Sequence, residues 1–148
     1  MINTAQITIG NLMTTLPVTV EPNDTLLKVK EIFKSMNIHH IPVVKGKKVV
    51  GIISKNDYLA ISNAFPLFNE EKRESYNDKL YATLLVDEVM TKQVAKVNPE
   101  DSIEIAAGIF RENLFHALPV VDSSGDLVGI LTTFDLLNYF FNERPALT

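Results

Sequence analysis

His39-His40-Ile41-Pro42-Val43-Val44, running through a lysine-rich turn to Gly51-Ile52-Ile53-Ser54-Lys55-Asn56-Asp57, is written twice in this chain. The second writing is His116-Ala117-Leu118-Pro119-Val120-Val121, then Gly129-Ile130-Leu131-Thr132-Thr133-Phe134-Asp135. Each copy reads as an apolar strand, a polar turn, a glycine-started apolar strand, and a hydroxyl and carboxylate three residues apart. Consecutive strands about a glycine-containing turn pair antiparallel. A duplicated unit fixes the architecture before any single element is assigned.

The repeat extends upstream. Asn11-Leu12-Met13-Thr14 matches Glu88-Val89-Met90-Thr91, and the same offset relates Pro22 to Pro99, Asp24 to Asp101, Phe33 to Phe110, His39 to His116 and Pro42 to Pro119. The offset grows by one residue where Lys45-Gly46-Lys47-Lys48 is replaced by the longer Asp122-Ser123-Ser124-Gly125-Asp126. A turn tolerates such an insertion and a strand does not.

Within a copy, Val18-Thr19-Val20 alternates as a strand and stops at Glu21-Pro22-Asn23-Asp24. Leu26, Val29, Ile32, Phe33 and Met36 then recur at helical spacing. The second copy has Ile103, Ala106, Phe110 and Leu114, started by Asp101-Ser102 with Glu104 as a capping-box partner. The pattern predicts an α/β (α+β) protein of two β-α-β-β-α repeats. About 50 residues bury too little surface to stand alone, so the repeats are expected to pack as a pseudo-twofold pair sharing one core. The expected layout is a lead-in over 1–10, with Ile7 and Ile9 adding a short strand. A first repeat over 11–60, a helical connector over 61–87, a second repeat over 88–141 and a tail over 142–148 follow. The connector combines the charged run 69–75 with Leu80, Leu84 and Leu85 at helical spacing and Val86 after them. It reads as a helix with a solvated face, or as a contact for a partner or second copy.

Composition narrows the function. The chain has 148 residues, 46% apolar and 22% charged, with no cysteine and a net charge of −4. Disulfides, thiolate chemistry and zinc–sulfur sites are excluded, and nothing basic invites nucleic acid. No apolar run approaches the roughly 18 residues of a membrane helix, and the N-terminus is not a signal peptide, so a cytoplasmic protein without membrane contact is expected. Serine-elbow, His-Glu-x-x-His, P-loop and Gly-x-Gly-x-x-Gly patterns are missing, which argues against an enzyme. The lysines at 45, 47 and 48 read as a solvated hairpin tip.

Two residue sets invite chemistry. Ser54-x-x-Asp57 and Thr132-x-x-Asp135 each follow a strand and open a helix. They read as a hydroxyl N-cap reciprocated by a first-turn carboxylate, worth about 1 kcal/mol. They read equally as an anion site, with helix-start N–H groups and the hydroxyl meeting phosphate while the carboxylate holds a ribose diol. All three histidines precede a Pro-Val-Val strand. They read as partly buried strand-entry residues. Metal binding is disfavoured, since His39 and His40 point to opposite faces of an extended chain.

Taken together, the duplicated Met-Thr, Pro-x-Asp, His-x-x-Pro-Val-Val and Gly-x-x-Ser/Thr-x-x-Asp motifs resemble a tandem pair of CBS domains, a Bateman module, here read as stand-alone. The resemblance implies a regulatory module binding adenosine-containing ligands (AMP, ADP, ATP or S-adenosylmethionine type) in clefts between the repeats. It also implies signalling through a change in repeat or dimer arrangement, a homodimer, a regulated partner protein and no required cofactor. By that resemblance Ser54 and Asp57 would join Thr91, Val94, Ala95 and His116, while Thr132 and Asp135 would join Thr14, Val18, His39 and His40. Val18 and Ala95 would flank adenine through backbone. Histidine beside phosphate would make affinity rise at lower pH. The family's better nucleotide binders often carry arginine directly after the histidine position, where this chain has His40 and Ala117. Arg73, Arg111 and Arg144 lie elsewhere, leaving Lys55, Lys92 and the histidines as cations and favouring a mono- or diphosphate over a triphosphate. The second cleft, with His39 and His40, is the one expected to fill. The alternative is a structural or protein-interaction dimer module with empty clefts.

Overall fold

A computed structural model describes residues 7–62 and 69–141. Most of the lead-in, Arg144 and the tail 142–148 lie outside the described residues. In chain order the elements are α1 (Ile9–Leu12), β1 (Thr14–Thr15), α2 (Leu26–Ser35), β2 (His40–Lys45), β3 (Lys48–Ser54), α3 (Lys55–Ser62), α4 (Glu70–Thr83), α5 (Val86–Val89), α6 (Ile103–Arg111), β4 (Ala117–Val121), β5 (Leu127–Thr132) and α7 (Thr133–Phe141). The mixed α/β class and the two repeats expected from the sequence are present. The chain divides into two compact units, Val18–Gln93 and Met1–Pro17 with Val94–Thr148.

In the unit Val18–Gln93, β2 and β3 form the antiparallel hairpin, His40 opposite Ser54 and Ile41 opposite Ile53, with a bulge between Val43 and Val44. Val20 adds a parallel bridge to Val43, and Thr91 an antiparallel bridge to Ile52 on the other edge. The helices cover the hairpin, so Ile41, Val43 and Ile53 are fully buried with Leu26, Val29 and Val86. A near-continuous apolar strand is what two-sided covering demands. Phe33, Tyr58 and Tyr81 stack through this core, with ring centroids 5.8 and 5.1 Å apart in turn.

The other unit repeats the plan. β4 and β5 pair with Ala117 opposite Thr132 and a bulge between Val120 and Val121. Val97 bridges Val120 in parallel, and β1 pairs antiparallel with β5, Thr14 opposite Ile130. Ile9, Val97, Ile103, Ala106, Leu118, Val120 and Leu131 form its core. Buried residues thus gather in two clusters, one per unit, where the repeat argument expects one shared core. Each unit recruits enough helix and edge-strand surface to close its own.

The recruitment is crosswise. The short leader of the first repeat, α1 with Met13 and β1, belongs to the unit of the second hairpin. The leader of the second repeat, α5 with Met90 and Thr91, belongs to the unit of the first hairpin. Ile9 N–H donates to Asp101 O and Val86 N–H to Asp24 O, each at 2.8 Å, so each leader is pinned at a helix-entry aspartate. Ile9 therefore opens a helical turn, and the strand expected at Ile7 and Ile9 reduces to a bridge between Thr8 and Ser102.

Local chemistry explains the helix boundaries. Ser102 Oγ accepts from Glu104 N–H at 3.2 Å to start α6, and Asn69 Oδ1 accepts from Lys72 N–H at 2.8 Å to start α4. Leu114 and Met36 fall beyond the helices their spacing suggests and are exposed. The connector helix α4 stops at Thr83. Leu84 and Leu85 lie outside it, where Leu84 O accepts from Leu26 N–H and Leu85 bridges Thr25. Its buried face is instead Asn77 and Tyr81.

Candidate functional site

The two hydroxyl–carboxylate pairs open α3 and α7. Asp57 N–H donates to Ser54 Oγ at 3.0 Å while Ser54 N–H donates to Asp57 Oδ2 at 3.0 Å. Asp135 N–H donates to Thr132 Oγ1 at 3.2 Å and Thr132 N–H to Asp135 Oδ2 at 2.8 Å. Both are reciprocal capping boxes. The strand-entry histidines are tied to the same helix starts. Lys55 N–H donates to His39 O at 2.8 Å, and Thr133 N–H to His116 O at 3.1 Å.

These bonds define what remains for a ligand. Of the first-turn donors, those of Lys55 and Asp57 are used, which leaves the N–H of Asn56; in α7 the corresponding donor is that of Phe134. The anion site is therefore one amide wide at each helix, narrower than a free helix start offers. The hydroxyls of Ser54 and Thr132 accept in the box, so their protons remain available to donate. Asp57 Oδ1 carries no bond among the described residues, and an ionised carboxylate oxygen there accepts only.

The candidate residues divide between the units. Ser54, Asp57, His39, His40 and Thr91 share one with Val18; Thr132, Asp135, His116 and Thr14 share the other with Val94 and Ala95. Within the first, His40 stands opposite Ser54 in the ladder, and Thr91 bridges Ile52 two residues before Ser54. Within the second, Ala117 stands opposite Thr132, and Thr14 opposite Ile130. All twelve are solvent-accessible, although the strands that carry or adjoin them are mostly buried. Polar side chains reachable from water at the end of a rigid sheet are what a ligand wall requires. Among the described residues no group of three or more histidine, aspartate or glutamate side chains stands where it could hold a metal ion. No helix among them is long and apolar enough to cross a membrane.

Sequence reading passed over Leu16. It lies between Thr14 and Val18, 92% exposed and at a φ of +47°. A branched apolar side chain is a poor tenant of the left-handed region. The only sequence signal was a leucine before Pro17 in a polar stretch, which is too common to single out.

Comparison with known proteins decides the family. The CBS domain model matches residues 9–63 and 86–142. The chain belongs to the CBS-domain family. It is 29% identical over 139 residues to the CBS domain-containing protein YhcV of Bacillus subtilis, covering 93% of this chain and 89% of that one. Protein MJ1426 of Methanocaldococcus jannaschii is 33% identical over 141 residues, covering 82% and 84%. Among solved structures, the CBS-pair protein CBSX2 from Arabidopsis thaliana superposes with a TM-score of 0.73 in complex with AMP and 0.77 in a second structure, at 26% identity. The two alignments cover 93% and 94% of this chain and 98% of the CBSX2 chains. The chain spans 23% of the length of an inosine-5'-monophosphate dehydrogenase from Korarchaeum cryptofilum, 29% identical over 131 residues. A region similar to this chain therefore also occurs within a larger protein named as an enzyme.

Proposed function

We propose that this CBS pair is a non-catalytic regulatory module whose effector is an adenosine-containing compound of the AMP, ADP, ATP or S-adenosylmethionine type. The observation that carries the reading is the double occurrence of one wall. A box-closed helix start is tied to a strand-entry histidine and is open to solvent in both units. Its fit to a ribose phosphate is chemical. The diol donates to the carboxylate. The Ser54 or Thr132 hydroxyl proton and the Asn56 or Phe134 N–H point their positive ends at a phosphate oxygen, and imidazole lies within the same unit. Adenine would lie against the backbone near Val18 and Ala95. The AMP complex of CBSX2 supports the ligand class.

Signalling requires the ligand to bind one arrangement of the repeats, or of a homodimer, better than another. Phe134, Leu137 and Phe141, spaced three and four residues apart on α7, leave a stripe of exposed apolar surface. That stripe supports the homodimer, and its proximity to Asp135 on the same helix would let a second copy feel the ligand. The two walls are unequal, because His39 and His40 supply two imidazoles where His116 is followed by Ala117. Unequal occupancy follows.

Titration calorimetry with AMP, ADP, ATP and S-adenosylmethionine tests the reading. Asp57→Asn and Asp135→Asn keep an acceptor for the capping box but remove the acceptor-only carboxylate. Binding of one of the four, lost in one variant and retained in the other, is expected. Absence of binding by all four to folded protein overturns the proposal in favour of an interaction module.

A further inference from the structure

A cavity of about 330 Å3 opens among α2, α3 and α4 in the unit Val18–Gln93. None of the ligand-wall residues lines it. Its floor is made by Asn77 and Tyr81, 8% and 2% exposed, one turn apart on α4. The Asn77 amide is oriented by its Nδ2, which donates to Ser62 O at 3.1 Å. Its Oδ1 and the Tyr81 hydroxyl have no hydrogen-bond partner at normal geometry. Tyr58 and Ser62 stand close enough to Tyr81 to influence its titration without satisfying it.

An unmet buried polar atom is destabilising, and native interiors contain few. Here two lie on one helix and face one cavity. The buried positions of α4 are Asn77 and Tyr81, with Leu80 half-buried near them, and a helix that merely packed would place an apolar side chain at position 77 as well. The amide cannot turn round to relieve the cost, since that would set oxygen against the Ser62 carbonyl.

The charges around the cavity define what would fill it. Lys30 is paired to Asp78 and lies over the Tyr81 ring, 5.7 Å from its centroid, which closes that side. The Lys34 ammonium, the Arg73 guanidinium and the carboxylates of Glu70 and Glu74 also line the cavity, and Lys34, Glu70 and Glu74 make no ion pair among the described residues. Asn77 Oδ1 requires a donor, which an ammonium supplies with Glu70 and Glu74 as counter-charges. The buried Tyr81 O–H requires an acceptor, which a carboxylate supplies with Lys34 as its counter-charge. Lys34 and Arg73 balance Glu70 and Glu74 in charge, which suits a ligand carrying one charge of each sign. The volume lies at the small end for ligand pockets.

We propose that this cavity is a second ligand site, separate from the adenosyl walls, and that it takes a small zwitterion of the free α-amino-acid class. The proposal does not rest on the adenosyl reading.

The test is a thermal-shift and titration-calorimetry series on the full chain with the standard L-amino acids, with ethylamine and propionate as single-charge controls. At least one amino acid should bind and raise the melting temperature, and neither control should match it. Asn77→Leu and Lys34→Gln should each weaken that binding by roughly tenfold or more, with AMP binding unchanged. Lys34 is exposed, so its variant folds even where the floor variant does not. The site is refuted if no amino acid binds, if ethylamine or propionate binds as well as the zwitterion, or if Lys34→Gln retains wild-type affinity. Amino-acid binding without nucleotide binding would sink the adenosyl reading alone; the reverse would sink this one alone.

Discussion

Replacing Gly51 with alanine would put a methyl group 2.6 Å from Met90 Sδ and 2.8 Å from Thr91 O. The methionine end can swing aside. The carbonyl cannot, because Ile52 N–H donates to it at 3.0 Å and Thr91 N–H returns a bond to Ile52 O at 2.9 Å. Ordinary contact begins near 3.4 Å, so the leader must retreat by roughly half an ångström and strain both bonds. Overpacking of this kind costs about 1–3 kcal/mol, and a weakened hydrogen bond adds about 1 kcal/mol. A loss of roughly 2–4 kcal/mol lowers the melting temperature of a chain this size by about 5–15 °C. Gly129→Ala should match it, meeting Met13 Sδ at 2.6 Å and Thr14 O at 2.9 Å. Gly108→Ala is the control. It sits inside α6 with only Arg111 at 3.9 Å and should stabilise by about 0.5–1 kcal/mol. Calorimetric melts of the three variants check the set. Gly51→Ala and Gly129→Ala melting with wild type, or Gly108→Ala falling as far as they do, would refute the view that the leaders are seated on the glycines.

Ser54→Ala removes the acceptor for Asp57 N–H and should cost about 1 kcal/mol in urea unfolding; an unchanged midpoint would mean the box is not formed. Burial, with Tyr58 beside it, pushes the Tyr81 phenol up from 10.0 to about 12. The folded state then holds its proton where the unfolded chain releases it, so this contribution is intact below pH 10 and is lost as pH rises toward 12. Tyr81→Phe should flatten that alkaline decline relative to wild type, and parallel urea curves from pH 9 to 12 for the two proteins would contradict it. Leu137→Glu, in the α7 stripe, should convert a dimer to monomer by light scattering while leaving the melting of the unit intact; a dimer that survives the substitution rules out that face.

The sequence made the repeat legible because its strands are short, nearly all apolar and punctuated by Gly46 and Gly125, both at positive φ. Strand pairs, helices and the two capping boxes follow from periodicity and turn chemistry, which are local. Pairing of leader with hairpin is not local. Met13-Thr14 and Gly51 lie in one repeat, yet Met13 meets Gly129 and Met90 meets Gly51, and no pattern within a repeat distinguishes the two assignments. Val18–Val20 illustrates a weaker failure. Its alternation suggests a strand, but only Val20 makes a bridge. The connector misled more. Its leucines carry the helical spacing, whereas the helix buries an asparagine and a tyrosine and leaves Leu84 and Leu85 to cap and bridge. Apolar periodicity has no means of flagging a polar buried face. At the candidate site the residue types were readable and the spare donors were not, since the use of Lys55 N–H by His39 O is visible only once the strand is in place.

The crossed leaders make each repeat an incomplete object. A fragment cut at the repeat boundaries keeps a Met-Thr segment shaped for someone else's glycine and loses the one that fits its own. Two such fragments mixed together would complement each other reciprocally, and a lone fragment would have to borrow from a second copy of itself. Duplication with exchange is thus a one-way step: once each half holds the other's edge strand, neither can be deleted without opening what remains.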